Sequence, residues 1–296
     1  MTSVSTSPGT RSPRTRPLRR PLRRRLRRPL RDASFPYQLL TFALFAAAWE
    51  LYARARGGLL LPGFGETVRA TVVLLGDGEL WRALFVSNQA LVLGFGIALG
   101  VGIPAGILLG RFRTLERYTD VHLNILLVTP MAAIIPLLVM WAGVGLASRV
   151  ALVALFSVMM VIVNSRAGVR QVDPSLIEMA RSFGASERRV WTRILLPGAL
   201  PAVMTGVRLG LGRAVTGMVL VELLMVSDGL GGLILTYRGL LKAPPLYGTI
   251  AIVLAEALLL ISLARLAENR LTRWARTTDQ ARTTDQARTH TARSPK

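Results

Sequence analysis

The chain has 296 residues, 51% of them hydrophobic, and its formal net charge at pH 7 is +21. It has no cysteine, which excludes disulfides and thiolate metal sites, and its two histidines cannot form a metal centre without other ligands. Arginines crowd both ends around long apolar stretches, and the mean hydropathy is +0.44. This pattern is typical of a polytopic membrane protein and not of a nucleic-acid binder, since no nucleic-acid-binding motif accompanies the charge.

Three segments follow one another along the chain. Residues 1–33 are rich in Arg, Pro, Ser and Thr and lack the continuous apolar core of a secretory signal, so we expect a disordered basic segment on the cytoplasmic side. Residues 34–274 contain the long apolar stretches and are predicted to form a transmembrane domain. Residues 275–296 repeat the unit Ala-Arg-Thr-Thr-Asp-Gln and are predicted to form a disordered cytoplasmic tail.

Six apolar stretches in the central segment predict transmembrane helices, because a bilayer core of about 30 Å needs roughly 20 apolar residues in a helix. They are residues 35–52, 83–110, 121–142, 150–167, 200–226 and 247–266. Arginine is denser in the loops after the second, fourth and sixth stretches than in the loops on the opposite side. The positive-inside rule therefore places both ends of the chain in the cytoplasm.

The loop between the fourth and fifth spans is too polar to enter a membrane, yet it is patterned. Asp173 can cap a helix that begins at Pro174, and Gly184 can end it in a left-handed conformation. A second short helix is predicted to start after Ser186 and to end before Pro197. The first helix has one apolar face, formed by Leu176, Met179, Ala180 and Phe183. Helices this short need a surface to pack on, which could be the lipid, the chain's own spans or a partner protein.

The same loop resembles the EAA signature of ABC importer permeases, which is Glu-Ala-Ala, three residues, Gly, nine residues and Ile-x-Leu-Pro. The spacing fits throughout, with Met179 in place of the first Ala. The matching residues are Glu178, Met179, Ala180, Gly184, Ile194, Leu196 and Pro197. Further similarity to the nitrate/sulfonate/taurine type extends over about residues 60–274 and includes Leu61-Pro62-Gly63 and Gly229-Leu230-Gly231. A Ser-Leu-x-Arg element of that type is replaced by Ser87-Asn88-Gln89-Ala90.

This resemblance implies an all-α permease with about six transmembrane helices, an ABC core over about residues 80–268, and coupling helices between spans four and five. The motif residues would be coupling residues that contact a cytoplasmic ABC ATPase. The other implied partners are an extracytoplasmic substrate-binding protein, a second permease copy as a homodimer, and the lipid bilayer. The substrate would be a small anion or organic solute such as a sulfonate, nitrate or taurine, and no cofactor is implied.

Two polar residues inside the predicted spans are candidates for the translocation path, Asn164 in span four and Glu222 in span five. Polar groups in a bilayer are costly, so each needs a function or a partner. The alternative for both is a hydrogen bond between helices. The other intramembrane polar residues are Asn88, Gln89, Asn124 and Glu256.

Neither a phosphate-binding loop nor a nucleophile–base pair occurs in the sequence, so we expect no ATP binding by that route and no catalytic residues. The remaining alternative is a secondary transporter driven by an ion gradient, in which Glu222 and Glu256 would bind the coupling ion. That class often has an internal repeat, which the sequence lacks, and it would leave the patterned loop unexplained.

Overall fold

The computed structural model describes residues 34–56, 60–225 and 228–272, and these are almost entirely helical. The helices are α1 (Ser34–Arg56), α2 (Phe64–Leu75), α3 (Gly78–Arg111), α4 (Arg113–Val128), α5 (Ile135–Ala142), α6 (Leu146–Arg170), α7 (Pro174–Ser182), α8 (Glu187–Val190), α9 (Leu196–Met225), α10 (Leu230–Gly239) and α11 (Ala243–Leu271). The chain divides into one unit that ends at Tyr52 and another that begins at Ala53. The all-α class predicted from the sequence is confirmed. The basic segment 1–33 and the tail 275–296 lie outside the described residues.

The first unit contains most of α1. Its apolar side chains are exposed on every side of the helix, as in a segment that contacts lipid. Phe45 and Trp49 lie one turn apart with their rings edge to face, 6.1 Å between centroids. The hydroxyl of Thr41 donates to the carbonyl oxygen of Tyr37 at 2.8 Å, so this polar group is satisfied within the helix.

The second unit is built on α3, α6 and α9, which pack together through glycines. Along α3, a Cβ added to Gly94, Gly102, Gly106 or Gly110 would lie within 3.0 Å of atoms of α6. On α9, Gly206, Gly210 and Gly217 approach α6 in the same way. Small residues at helix contacts let backbones come close, which is how membrane helices associate where the surrounding lipid gives no hydrophobic drive.

Four of the described helices are long and apolar enough to cross a membrane: Gly78–Arg111, Leu146–Arg170, Glu187–Met225 and Ala243–Leu271. A fifth span is possible if the pair Arg113–Val128 and Met131–Ala142, bent by 88°, is counted as one. The multi-pass character predicted from the sequence is therefore confirmed. The count of six spans stays a prediction.

The third predicted span, residues 121–142, is not one continuous helix. The chain leaves the helical conformation at Thr129, which has φ −62° and ψ 127°. The next residue is Pro130, whose ring disfavours the helical conformation of the residue before it and which has no N–H to donate. A short 3₁₀ turn, Met131–Ile134, then leads into α5.

The second short helix of the patterned loop does not end before Pro197, as the sequence predicted. It starts at Glu187 and continues through a π turn, Trp191–Leu195, into α9, which gives one helix from Glu187 to Met225. The N–H of Leu196 donates to the carbonyl of Trp191, five residues back. Because this wider turn already interrupts the regular bond pattern, the missing N–H of Pro197 in the first turn of α9 does not end the helix.

Candidate coupling surface and transport path

Helix α7 is held at both ends by local hydrogen bonds. A carboxylate oxygen of Asp173 accepts from the N–H of Ser175 at 2.9 Å, and Pro174 occupies the first turn, where its missing N–H costs nothing. At the other end Gly184 has φ +73°, a conformation that favours glycine. The N–H of Gly184 donates to Arg181 and that of Ala185 to the carbonyl of Ala180, each at 2.9 Å. These two bonds satisfy carbonyls that the helix end would leave open.

The apolar residues of α7 divide between two surfaces. Ile177 and Ala180 pack against the cluster of buried side chains that includes Val172, Val190 and Leu195. Leu176, Met179 and Phe183 lie on the other side and are 43%, 52% and 85% exposed. We call these three residues the α7 ridge. Spaced by three and four positions, they form one stripe along the helix that nothing in the described part of the chain covers.

Glu187 connects three elements around this loop. Its Oε1 atom accepts from Nε and Nη2 of Arg181 at 3.0 and 2.6 Å, which joins α8 to α7. Its Oε2 atom lies 3.5 Å from Nη2 of Arg111 at the end of α3. These groups are partly exposed, so each pair adds little stability, but together they connect α7 to α3 and α8. Arg181 is therefore already paired with a carboxylate of its own chain.

The other motif residues lie close to this surface. Glu178 is exposed, and Leu196 is 40% exposed. Ile194 and Pro197 are half-buried, and Ile194 packs against the same buried cluster as Ile177. Ala180 and Ile194 therefore pack on one buried cluster at the start of α9, while Glu178, Met179 and Leu196 are exposed.

Glu222 is completely buried, with a relative exposure of 0%, in a network between three helices. Its Oε1 atom accepts from the hydroxyl of Ser87 on α3 at 2.6 Å, and its Oε2 atom accepts from the N–H of Gly231 at 2.9 Å. The Ser87 oxygen in turn accepts from the N–H of Leu230 at 3.0 Å. A carboxylate and a hydroxyl from two different spans thus satisfy the first N–H groups of α10.

Glycines make this approach possible. A Cβ on Gly229, which has φ +134°, would lie 2.6 Å from Oε1 of Glu222, and one on Gly231 would lie 2.5 Å from the Glu222 Cβ. The Gly229-Leu230-Gly231 sequence therefore lets α10 begin against the carboxylate. Between α10 and the first turns of α3 there is a cavity of about 430 Å³, lined in part by Glu79, Arg82 and Asp228.

Asn164 and Asn88, two other polar residues of the predicted spans, each donate a hydrogen bond. Asn164 donates to the carbonyl of Met160 on its own helix at 2.8 Å, and its Cβ packs where Gly206 leaves room. Asn88 on α3 donates to Glu256 on α11 at 2.5 Å. The structure thus places Asn164 half-buried in the α6–α9 contact and Glu222 in a closed network.

Two arginines inside the fifth predicted span were missed by sequence reasoning. Arg208 is neutralised, since its Nε atom lies 3.3 Å from Oε2 of Glu268 on α11. Arg213 is exposed and has neither a hydrogen bond nor an ion pair with any residue in the described ranges. An arginine at the centre of a membrane helix costs about 2.5–3.5 kcal/mol on insertion scales. Its position within an apolar run was the signal available in the sequence.

A family model described as "binding-protein-dependent transport system inner membrane component" matches residues 102–273. The chain belongs to this family. The taurine transport system permease protein of Escherichia coli is 31% identical over 241 residues, which cover 79% of this chain and 88% of that protein. The riboflavin transport system permease protein of Chloroflexus aurantiacus is 32% identical over 237 residues, covering 79% and 88%. A protein of Bacillus subtilis named for aliphatic sulfonate transport is 33% identical over 242 residues, covering 80% and 86%.

Among solved structures, the permease fold is shared with an inward-facing form of the MetNI methionine ABC transporter. The TM-score is 0.56 at 20% identity, and the match covers 66% of this chain and 95% of that chain.

The family match and the sequence relatives confirm the predicted resemblance to ABC importer permeases of the sulfonate and taurine type. The ABC permease is a multi-pass membrane protein and a transport subunit rather than an enzyme, and membership of the family implies an ATPase and a substrate-binding protein as partners. The alternative of a secondary transporter is not favoured.

Proposed function

We propose that two copies of this ABC permease form the translocation path for a small anion or organic solute such as a sulfonate, nitrate or taurine. The similarity to permeases named for taurine and aliphatic sulfonates supports this substrate class. A riboflavin permease is equally similar, so the proposed class rests on there being more sulfonate and taurine permeases than riboflavin permeases among these relatives. Asn164 and Glu222 are proposed to act near the path.

The observation that carries the coupling function is the exposed α7 ridge beside the Glu178 motif. An apolar stripe on a short, doubly capped helix is stabilised by burial against another protein. The proposed occupant is the cytoplasmic ATPase. Because Glu187 ties α7 to α3 and the helix from Glu187 to Met225 is continuous, a displacement of α7 by the ATPase would move α9 and α3 with it. The coupling residues are Glu178, Met179, Ala180, Gly184, Ile194, Leu196 and Pro197.

We expect Met179→Asp combined with Phe183→Asp to reduce retention of the ATPase at least tenfold. The two carboxylates would have to be desolvated in an apolar contact, and a tenfold loss corresponds to only about 1.4 kcal/mol. The measurement is co-purification of the ATPase with the tagged permease from membranes. Leu240→Asp is the matched control, since Leu240 is 58% exposed at the end of α10. Full retention of the ATPase by the double variant would contradict docking on the α7 ridge.

The proposed topology has six spans with both ends in the cytoplasm, a basic segment at 1–33, a permease domain at 34–274 and a tail at 275–296. Since the chain has no cysteine, a single introduced thiol reports its own side of the membrane. We expect Leu240→Cys to react with an impermeant maleimide in cells whose inner membrane is intact, and Ser186→Cys to react only after permeabilisation. Both positions are exposed. The reverse pattern would overturn the orientation.

A further inference from the structure

Part of one face of α9 is not covered by the described part of the chain. Its exposed members are Leu209, Arg213, Thr216 and Leu224, spaced by four, three and eight positions, while the adjacent strip of Gly206, Gly210 and Gly217 packs against α6. We call these four residues the α9 stripe. It is apolar at both ends and polar in the middle, which is unusual for a surface in contact with lipid.

Arg213 lies too deep along the helix to reach water at either end. It is the central residue of the predicted span 200–226, 13 positions from each end, which is about 20 Å at 1.5 Å per residue. An arginine side chain can extend toward the interface when it is near a helix end, but the apolar half-thickness of a bilayer is about 15 Å. Arg213 therefore needs water or a negative group at its own depth.

The described part of the chain does not supply that negative group. Glu268 is paired with Arg208, Glu222 accepts from Ser87 and Gly231, and Glu256 accepts from Asn88. Arg213 contacts none of these carboxylates. The two arginines of α9 are five positions apart. Arg208 forms an ion pair with Glu268 of α11, whereas Arg213 lies on the exposed stripe without an ion pair to any described residue.

We propose that Arg213 faces the water-filled translocation path and selects substrates with an anionic group. This inference rests on the proposed function, in which two copies enclose the path, so that two guanidinium groups would form a positive constriction. Rings of arginine or lysine are the arrangement by which pores favour anions. The planar guanidinium fork matches the oxygen atoms of a sulfonate, nitrate or carboxylate better than a point charge does.

The position of Arg213 is tested by thiol accessibility, which requires no knowledge of the substrate. Arg213→Cys would be the only cysteine in the chain, and the probe is the sulfonatoethyl methanethiosulfonate anion applied to membranes containing the importer with its ATPase. We expect this thiol to react at least ten times faster than that of Leu258→Cys, the control on the exposed face of α11. Equal rates would overturn the proposal, because they would place Arg213 in lipid or in a dry contact.

The charge requirement is tested by transport into vesicles that contain the importer and its binding protein, with methanesulfonate and nitrate as probes. Arg213→Gln should lower uptake at least tenfold without reducing ATPase retention, and Arg213→Lys should keep a larger share. Modification of Arg213→Cys with the cationic aminoethyl reagent should restore uptake, whereas the anionic reagent should not. Normal uptake by Arg213→Gln, or loss of ATPase retention, would overturn the proposal. If the wild type carries neither probe, the proposed substrate class fails, and the accessibility result alone decides the position of Arg213.

Discussion

Replacing Glu222 by alanine is expected to detach the start of α10 and to destabilise the permease by about 3–5 kcal/mol. The hydroxyl of Ser87 and the N–H of Gly231 would both lose their acceptor in a site with no access to water. A buried donor left without a partner costs about 1–3 kcal/mol, and the lost side-chain volume adds a cavity. Glu222→Gln should cost less, since the amide keeps the shape and one acceptor oxygen.

The measurement is thermal unfolding of the purified permease in detergent, combined with limited trypsin digestion. Cleavage after Arg238, in the last turn of α10, and after Lys242, just beyond it, should accelerate in Glu222→Ala. Asn164→Ala is the matched control, because among the described residues the Asn164 amide bonds only to its own helix, so its loss should change the unfolding temperature little. If Glu222→Ala unfolds like the wild type and loses only transport, Glu222 acts on the substrate path and the network is dispensable.

Local patterns account for the parts of the fold that the sequence predicted. Long apolar runs predicted the spans that became α3, α6, α9 and α11, because the bilayer sets both the length and the composition of such helices. In the cytoplasmic loop, Asp173, Pro174 and Gly184 act within a few residues of themselves, so their roles at the ends of α7 follow from the chain alone.

Other features depend on contacts between distant residues and could not be predicted. The partners of Glu222 are Ser87, 135 positions earlier, and the start of α10. Nothing in the sequence indicates that this carboxylate meets backbone N–H groups rather than solvent. The difference between Arg208 and Arg213 likewise depends on which of them Glu268 can reach.

Two predictions of helix ends were wrong because the effect of a proline was inferred from the proline alone, without the backbone conformation around it. Thr129-Pro130 ends α4, where the sequence predicted a continuous span, whereas Pro197 does not end its helix. The π turn before Pro197 explains the second case, and such a turn has no reliable sequence signature. The prediction of a second short helix was therefore right at its start and wrong at its end.

A second large effect is expected from one methyl group in the contact between α3 and α6. In Gly106→Ala the new Cβ would lie 2.5 Å from the carbonyl oxygen of Ile162, 2.6 Å from the Cβ of Ser165 and 3.1 Å from the N atom of Arg166. Two of these three atoms belong to the backbone and cannot move aside without shifting a helix. We expect a loss of about 2–4 kcal/mol, at or beyond the upper end of ordinary overpacking.

Gly100→Ala on the same helix is the matched control, because a Cβ there meets nothing within 4 Å. Alanine is favoured over glycine inside a helix by up to about 1 kcal/mol, so this variant should be neutral or stabilised. The same chemical change is thus expected to have opposite signs at two positions of one helix, measured by thermal unfolding in detergent. If both variants are stabilised, α3 and α6 are not in close contact at Gly106. The displacement of α7 would then not pass through a rigid pair of spans, and the coupling would have to act through α9 alone.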